Sequence, residues 1–216
     1  MSNTTNPSGK VRASDAGDGV RVITLDNPPV NALSYALSAE LVPLVEAAAN
    51  DPSVTTVVFT GANGLFSGGA DVNDFTTQPT AETKTVRDVI EAVERSDKTF
   101  VAAIDGNALG GGFELALACD YRVATAKSRV GLPEIKLGLL PGAGGTQRLP
   151  RLLGANEALQ IMLKGEMVKA PDALAKGILD EIAAGDAIET AKTYAGKPKR
   201  RLSQKKCELG VANLGL

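Results

Sequence analysis

The length, composition and charge of the chain exclude several classes of protein. Its 216 residues, 44% of them hydrophobic and 22% charged, suit one soluble globular domain, and no apolar run reaches the roughly 18 residues that a membrane span needs. The net charge of −2 gives no reason to expect a nucleic-acid partner, and the absence of histidine excludes Ser–His–Asp and Cys–His catalysis and most zinc sites. Carboxylates, Lys, Tyr or Cys must therefore carry any acid–base chemistry.

The two ends of the chain differ in composition from its middle. Residues 1–19 are rich in Ser, Asn, Thr, Gly and Asp, lack the apolar stretch of a secretory signal, and are predicted to be a disordered arm. Residues 196–216 begin with a basic stretch and are predicted to be a solvated tail or linker. A single catalytic domain is predicted between them, over 20–195. Cys119 and Cys207 form no disulfide framework, which indicates a reducing compartment, most simply the cytoplasm.

Strands and helices alternate along this predicted domain. Short apolar or alternating runs predict strands at 20–25, 54–60, 99–104, 121–124 and 129–131. Helical periodicity and capping residues predict helices from Asn31 or Ser34 to about 50, at 81–97, at 113–119, and from 145 to about 150. Residues 154–194 are predicted to be mainly helical, with one short strand near 178–182. Because strands are followed by glycine loops and helices, we expect an α/β fold with a mainly parallel sheet covered by helices.

The glycine-rich loop 61–71 follows the second predicted strand. Gly68 and Gly69 let the backbone approach a ligand closely, and the amides beyond them can point at an anion. A tight connection between a strand and a helix would explain the same glycines. From this segment alone, the structural interpretation is favoured.

Glu114 stands in an unusual helix. Three glycines, 110–112, open the helix and expose free amides and the positive end of its dipole. The residues that follow are apolar on every side, so the helix and Glu114 should be buried, and a buried carboxylate is costly unless it is paired or functional. Glu114 is therefore a candidate catalytic group, or else a carboxylate that satisfies amides at a helix start.

Glu134 is the second candidate. It follows Pro133 among apolar residues, which indicates poor solvation, but Lys136 could form an ion pair with it and give it a structural role. Taken together, the two glycine loops and the two poorly solvated glutamates suggest an oxyanion hole with an acid–base pair that works without histidine.

Four segments in this order resemble the crotonase, or enoyl-CoA hydratase/isomerase, superfamily. They are Phe-Ser-Gly-Gly-Ala-Asp at 66–71, Asn-Ala-Leu-Gly-Gly-Gly-Phe-Glu-Leu-Ala at 107–116, Pro-Glu-Ile-Lys-Leu-Gly at 133–138 and Pro-Gly-Ala-Gly-Gly-Thr-Gln-Arg-Leu at 141–149. The resemblance covers about 21–194. The stretch Asp-Asn-Pro-Pro-Val-Asn-Ala-Leu at 26–33 resembles the hydratase part of multifunctional β-oxidation proteins. No Gly-x-Gly-x-x-Gly loop appears, so we expect no dehydrogenase in this chain.

The resemblance implies a site and a reaction. It places the oxyanion amides at Ala70 and Gly111 and the catalytic glutamates at Glu114 and Glu134. It implies reversible syn addition of water to a trans-2-enoyl-CoA, a reaction that occurs in fatty-acid β-oxidation. It implies no metal or redox cofactor, and coenzyme A is counted as part of the substrate. Residues expected near that substrate are Val30, Ala32, Ser67, Gly68, Asp71, Val72 and Gly110.

Two other functions stay open. A 3-enoyl-CoA isomerase would use one glutamate to shuttle a proton, and a non-catalytic acyl-CoA-binding subunit would keep the pocket without turnover. The chain departs from the family after Tyr194, where relatives continue in helices that close the pocket and build trimers. The shortened helical region is replaced, supplied by another chain, or lost from a fragment. The family implies a homo-oligomer, a trimer or a dimer of trimers.

Overall fold

The computed structural model describes residues 4–5 and 10–207. Its main sheet has seven strands in the order β1-β2-β3-β4-β5-β7-β10. These strands are Thr4–Thr5 (β1), Val11–Asp15 (β2), Val20–Leu25 (β3), Thr56–Gly61 (β4), Thr99–Ile104 (β5), Tyr121–Thr125 (β7) and Glu181–Ala183 (β10). The pairs from β3 to β10 are parallel, and β1–β2 and β2–β3 are antiparallel. The prediction of a mainly parallel sheet is confirmed.

A second sheet of three short strands lies where the glycine loops meet. Asn107–Leu109 (β6) pairs in parallel with Arg129–Gly131 (β8), which pairs antiparallel with Val168–Lys169 (β9). An isolated bridge joins Ser67 to Ala108, and another joins Leu33 to Ala70. These pairings tie the loop after β4 to the strand that leads into the glycine-opened helix.

Seven α-helices are described within residues 10–207. They are Tyr35–Asn50 (α1), Val86–Arg95 (α2), Gly111–Ala118 (α3), Gly145–Leu153 (α4), Ala155–Lys164 (α5), Ala170–Ala175 (α6) and Ala187–Lys192 (α7). Ser34 caps α1 by accepting the Leu37 N–H at 3.2 Å, and Thr85 and Asp88 form a capping box at α2. The box starts α2 at Val86, five residues later than the predicted 81. Within the described residues, none of these helices is long and apolar enough to cross a bilayer.

The sheet separates a larger hydrophobic core from a smaller one. Successive side chains of a strand point to opposite faces, so on β5 Phe100 and Ala102 enter the larger core while Val101 and Ala103 enter the smaller one. Helices α1, α2 and α3 pack on the larger core, and α7 covers the smaller one. The strand predicted near 178–182 is found at Glu181–Ala183.

Both predicted terminal segments differ in the structure. The prediction of a disordered arm over 1–19 is wrong for 10–19, since β2 pairs with β3 and buries Val11 and Ala13. The alternation of burial along β2 is what a strand with one face on the core and the other face in solvent requires. Residues 1–3 and 6–9 of this arm lie outside the described residues.

The prediction of a solvated tail or linker is wrong for 196–207. Arg201 is only 4% exposed, pairs with buried Asp120, and donates to the Val93 carbonyl at 2.9 Å. Leu202 is buried beside it and opens a short 3-10 turn, Leu202–Gln204. The basic composition of this segment predicted exposure to solvent. An arginine can nevertheless be buried when it is paired and hydrogen-bonded, as Arg201 is. The rest of the predicted tail, 208–216, lies outside the described residues.

Candidate active site

The two glycine loops come into backbone contact. Leu109 N–H donates to the Ser67 carbonyl at 2.9 Å, and Leu33 N–H donates to the Gly69 carbonyl at 2.8 Å. A Cβ built on Gly111 would lie 3.4 Å from the Ala70 nitrogen. Among the residues that the structure describes, neither the Ala70 nor the Gly111 N–H donates a hydrogen bond. Gly111 opens α3, where first-turn amides have no partner within the helix.

Glu114 lies one turn into α3, and every residue of this helix is buried. Its side chain is almost fully enclosed, and its Oε1 accepts hydrogen bonds from the Ala143 and Gly145 amides, each at 2.7 Å. Gly145 opens α4, so Glu114 does satisfy helix-start amides, but those of the next helix. Burial raises the pKa of Glu114, although the two amides and the charges of Arg148 and Arg87 oppose that shift.

The Glu134 carboxylate has fewer hydrogen-bond donors around it than the Glu114 carboxylate. It begins the 3-10 turn Glu134–Leu137, and a Cβ on Gly110 would lie 3.3 Å from its Oε1. Gly110 has φ +50° and no side chain, so the carboxylate can lie against the backbone there. Within residues 10–207, its buried Oε2 has no hydrogen-bond partner. Burial, together with the charge of Glu114, raises the pKa of Glu134 to about 7.

One cavity of about 440 Å³ joins these groups. Ala70, Gly111, Glu114 and Glu134 all line it. Much of the remaining wall is apolar: Leu33, Val72, Phe75, Val86, Leu137, Leu139 and Leu140. The site therefore offers two carboxylates and two free backbone N–H groups beside a wall that suits a hydrocarbon chain.

Comparison with known proteins shows the family of the chain. The family model described as enoyl-CoA hydratase/isomerase matches residues 15–205. The chain belongs to the enoyl-CoA hydratase/isomerase family. The zebrafish (Danio rerio) peroxisomal bifunctional enzyme is 50% identical over 190 residues, which cover 85% of this chain and 26% of that enzyme. The chain thus spans about a quarter of the length of this relative.

Two further relatives match at greater coverage of their own length. A protein of Bacillus subtilis (strain 168) named probable enoyl-CoA hydratase is 40% identical over 185 residues, which cover 82% of this chain and 72% of that protein. The solved structure of Pseudomonas aeruginosa DspI matches with a TM-score of 0.82 and 34% identity, and the match covers 90% of this chain and 76% of that chain.

The substrate-binding residues expected from the family resemblance separate into two groups. Gly68, Asp71, Val72 and Gly110 line the cavity. The other three, Val30, Ala32 and Ser67, do not line it.

These three residues support the loops instead. The Val30 carbonyl accepts the Gly68 N–H at 2.7 Å, and the Ala32 carbonyl accepts the Asn27 side-chain amide at 2.8 Å. Ser67 is fully buried, where its hydroxyl donates to the Asn31 carbonyl at 2.8 Å and accepts the Gly69 N–H at 3.1 Å. Ser67 therefore shapes the loop from behind the cavity wall.

Sequence reasoning missed several residues of the site. Tyr35 lines the cavity, and no motif indicated it. The amides of Ala143 and Gly145 were missed as the partners of Glu114, although a glycine-rich helix start at 141–145 was a signal for free N–H groups. The alternative that Lys136 pairs with Glu134 is not realised, because Lys136 is exposed and forms no ion pair with it.

Among the described residues, no group of three or more His, Cys, Asp or Glu side chains is arranged to hold a metal ion.

Proposed function

We propose that the chain is an enoyl-CoA hydratase that adds water reversibly, with syn stereochemistry, to a trans-2-enoyl-CoA, giving a 3-hydroxyacyl-CoA. The observation that carries this proposal is the meeting of Glu114 and Glu134 with the free amides of Ala70 and Gly111 at one largely apolar cavity. Membership of the enoyl-CoA hydratase/isomerase family supports it.

The two amides would act on the thioester oxygen. As water attacks the β-carbon, negative charge builds on that oxygen, and the Ala70 and Gly111 N–H groups would stabilise it by hydrogen bonds. Donors that are already oriented need no reorganisation during the reaction, and one such donor is worth roughly 3 kcal/mol in another enzyme. The helix dipole of α3, whose N-terminus is at Gly111, adds to this stabilisation.

The two glutamates would divide the proton transfers. Glu114 takes a proton from water as the water oxygen bonds to the β-carbon, and protonated Glu134 donates a proton to the α-carbon. Two backbone amides favour the ionised form of Glu114, whereas the pKa of Glu134 near 7 keeps part of its population protonated at neutral pH. The pair interacts and titrates as a coupled system, so its apparent pKa values belong to both groups.

The proposed substrate is an acyl-CoA thioester. The apolar wall formed by Phe75, Val86 and Leu139 suits the acyl chain. The coenzyme A portion is proposed to lie along Asp71, Val72 and the backbone of Val30 and Ala32. The proposed hydration moves protons and a hydroxyl group only, so it requires no metal and no redox cofactor.

The experiment that tests this function is hydration of crotonyl-CoA by the purified chain, followed as loss of the conjugated enoyl-thioester absorbance. Loss of this absorbance that falls about 100-fold or more in both Glu114→Gln and Glu134→Gln supports the hydratase. If the folded chain binds the thioester without turnover, the hydratase proposal is wrong. Conversion of a 3-enoyl-CoA that mainly needs one of the two glutamates would instead indicate an isomerase.

We also propose that the chain forms a homo-oligomer, a trimer or a dimer of trimers. Exposed apolar side chains on the turn Glu134–Leu137 and on α5 support this, because contiguous exposed apolar surface is typical of an interface. They are Ile135, Leu137, Leu159 and Leu163. Sedimentation of the purified chain measures the mass directly, and a monomer at micromolar concentration would contradict the proposal.

A cytoplasmic location is proposed as well. Cys119 and Cys207 are free thiols, which supports a reducing compartment. The named relatives include a peroxisomal enzyme and a bacterial protein.

A further inference from the structure

The loop 142–145 has contacts on two sides. On its inner side, the Ala143 and Gly145 amides donate to Glu114. On its outer side, the Ala143 carbonyl accepts a hydrogen bond from Nη1 of Arg148 at 3.1 Å. The same residue, Ala143, therefore joins the candidate base to an arginine that does not itself contact Glu114 through a hydrogen bond.

Arg148 is held in a buried position next to this loop. It lies in the first turns of α4 and is only 8% exposed. Its guanidinium passes directly over Gly144, where a Cβ would overlap it, and the φ of +103° at Gly144 is one that other residues rarely adopt. Gly144 thus leaves room for Arg148, and Gly145 donates its N–H to Glu114.

Glu94 on α2 fixes the orientation of the Arg148 guanidinium. Its Oε1 accepts from Nε of Arg148 at 3.2 Å and from Nη2 at 2.9 Å. Both side chains are mostly buried, with 10% and 19% of their surface exposed, so the pair is weakly screened by water. Such two-donor contacts restrict the rotation of a guanidinium as well as its distance.

The C-terminal segment 196–207 completes the chain of contacts. Ser203, in the turn Leu202–Gln204, donates from its hydroxyl to Oε2 of Glu94 at 2.7 Å. The turn is anchored by the neighbouring buried ion pair of Arg201 with Asp120. Contacts therefore run without a gap from Ser203 through Glu94, Arg148 and Ala143 to Glu114.

We propose that Arg148 is a positioning residue for Glu114, which it serves by holding the Ala143 peptide, and that the segment 196–207 supports it through Ser203 and Glu94. This proposal rests on the proposed hydratase function for its kinetic consequences. It assigns to the C-terminal segment a role at the site, although no residue of that segment lines the cavity.

Arg148 also acts on Glu114 through its charge. The charged or titratable groups that bear on Glu114 or line the same cavity are Arg87 on α2, Arg148 on α4, Glu134 on its 3-10 turn, Tyr35 on α1, and Asp71 and Asp74 on the loop after β4. The positive charge of Arg148 lowers the pKa of Glu114, against the effect of burial. Removal of that charge should therefore raise the pKa of Glu114 and shift the acidic limb of the pH–rate profile to higher pH.

The test compares Arg148→Met and Arg148→Lys with Arg151→Met. Arg151 lies on the same helix and donates to the Gln147 carbonyl, so it serves as the matched control for loss of an α4 arginine. Arg148→Met should lower kcat about 10- to 100-fold with little change in KM, because a misplaced catalytic group costs this much, and should move the acidic limb upwards. Arg148→Lys keeps the positive charge but loses the planar guanidinium that donates to both Glu94 and Ala143. The value of kcat should therefore fall while the acidic limb of the pH–rate profile stays in place. Arg151→Met should match the wild type.

A readout that does not need activity separates this proposal from the hydratase proposal. The amide ¹H and ¹⁵N chemical shifts of Ala143 and Gly145, whose N–H groups donate to Glu114, should change in Arg148→Met and Arg148→Lys and stay unchanged in Arg151→Met. If the wild type does not hydrate crotonyl-CoA but these amide shifts change in both Arg148 variants, the hydratase proposal fails and the positioning proposal stands.

Unchanged Ala143 and Gly145 amide shifts in folded Arg148→Met overturn the positioning proposal. If Arg148→Met does not fold, Arg148→Lys decides, and an unchanged kcat in an active enzyme overturns it. Ser203→Ala should lower kcat about two- to fivefold through the outermost contact, since one neutral-to-charged hydrogen bond is lost.

Discussion

At the junction of α3 and α4, the Glu114 carboxylate accepts hydrogen bonds from two backbone N–H groups. The positive charges of Arg148 and Arg87 also lower its pKa. At the turn Glu134–Leu137, the Glu134 carboxylate has no hydrogen-bond partner for its buried Oε2 within the described residues, and the negative charge of Glu114 raises its pKa. Both glutamates face one cavity and both are poorly solvated. The comparison shows how one residue type can be prepared for opposite proton transfers. Two amides at the start of α4 stabilise the ionised form of Glu114, whereas at Glu134 its own backbone N–H opposes the effect of burial.

Apart from replacement of either glutamate, the largest expected effect comes from displacing the Glu134 carboxylate. Gly110→Ala places a Cβ about 3.3 Å from its Oε1 and forces a non-glycine residue to φ +50°, so we expect hydration to slow about 10- to 100-fold. Gly177→Ala is the matched control, because Gly177 also has a positive φ, at +75°, but a Cβ there meets no atom within 4 Å. It should lose about 1 kcal/mol of stability and keep its activity. Equal loss of activity in both variants would contradict a role for the Gly110–Glu134 contact.

A smaller effect is expected on stability. Because the pKa of Glu134 is raised from 4.5 to about 7 on folding, the native state binds more protons than the unfolded state between these values, and its stability falls as the pH rises through them. Glu134→Gln removes the penalty and should stabilise the chain by about 2 kcal/mol at about pH 8, after allowance for partial exposure, and by almost nothing at about pH 4. Urea unfolding at both pH values measures this difference.

Glu114→Gln sharpens the same comparison. The amides of Ala143 and Gly145 stabilise the ionised form of Glu114, so the gain in stability at about pH 8 should be smaller than for Glu134→Gln. A larger gain for Glu114→Gln would reverse the assignment of the acid and the base.

The smallest effect is expected from Lys136. Its exposed ammonium forms no ion pair with Glu134, so Lys136→Met should change the hydration rate by less than about twofold, as for other exposed charges. A large change in the rate would restore the alternative in which Lys136 holds Glu134.

Much of the fold could be predicted because it depends on local signals. The apolar β-branched runs of β3, β4 and β5 and the glycine-opened start of α3 identify themselves by composition and periodicity. Strand β2 was missed because one of its faces lies in solvent, which leaves alternate residues polar. The docking of 196–207 was missed because the pairing of Arg201 with Asp120 joins residues 81 positions apart, which no local pattern records.

The candidate site shows the same division. Motifs placed Glu114, Glu134, Ala70 and Gly111 as candidates, and the fold brings all four to one cavity. No local pattern pairs Glu114 with the groups that set its ionisation. The Ala143 amide is 29 positions away from Glu114, and Glu94 is connected to Glu114 only through Arg148. Ser67 belongs to the glycine-rich motif at 66–71, yet its hydroxyl donates to the Asn31 carbonyl behind the cavity.

The central claim is that the two carboxylates differ in ionisation because their surroundings differ. The most direct measurement is a ¹³C titration of the glutamate carboxyl carbons in the wild-type chain, with Glu114→Gln and Glu134→Gln used to assign the two resonances. The account predicts that Glu134 titrates near pH 7 and that Glu114, whose ionised form accepts two amide hydrogen bonds, titrates below Glu134. Titration of Glu134 near its ordinary value of 4.5, or of Glu114 above Glu134, would contradict it.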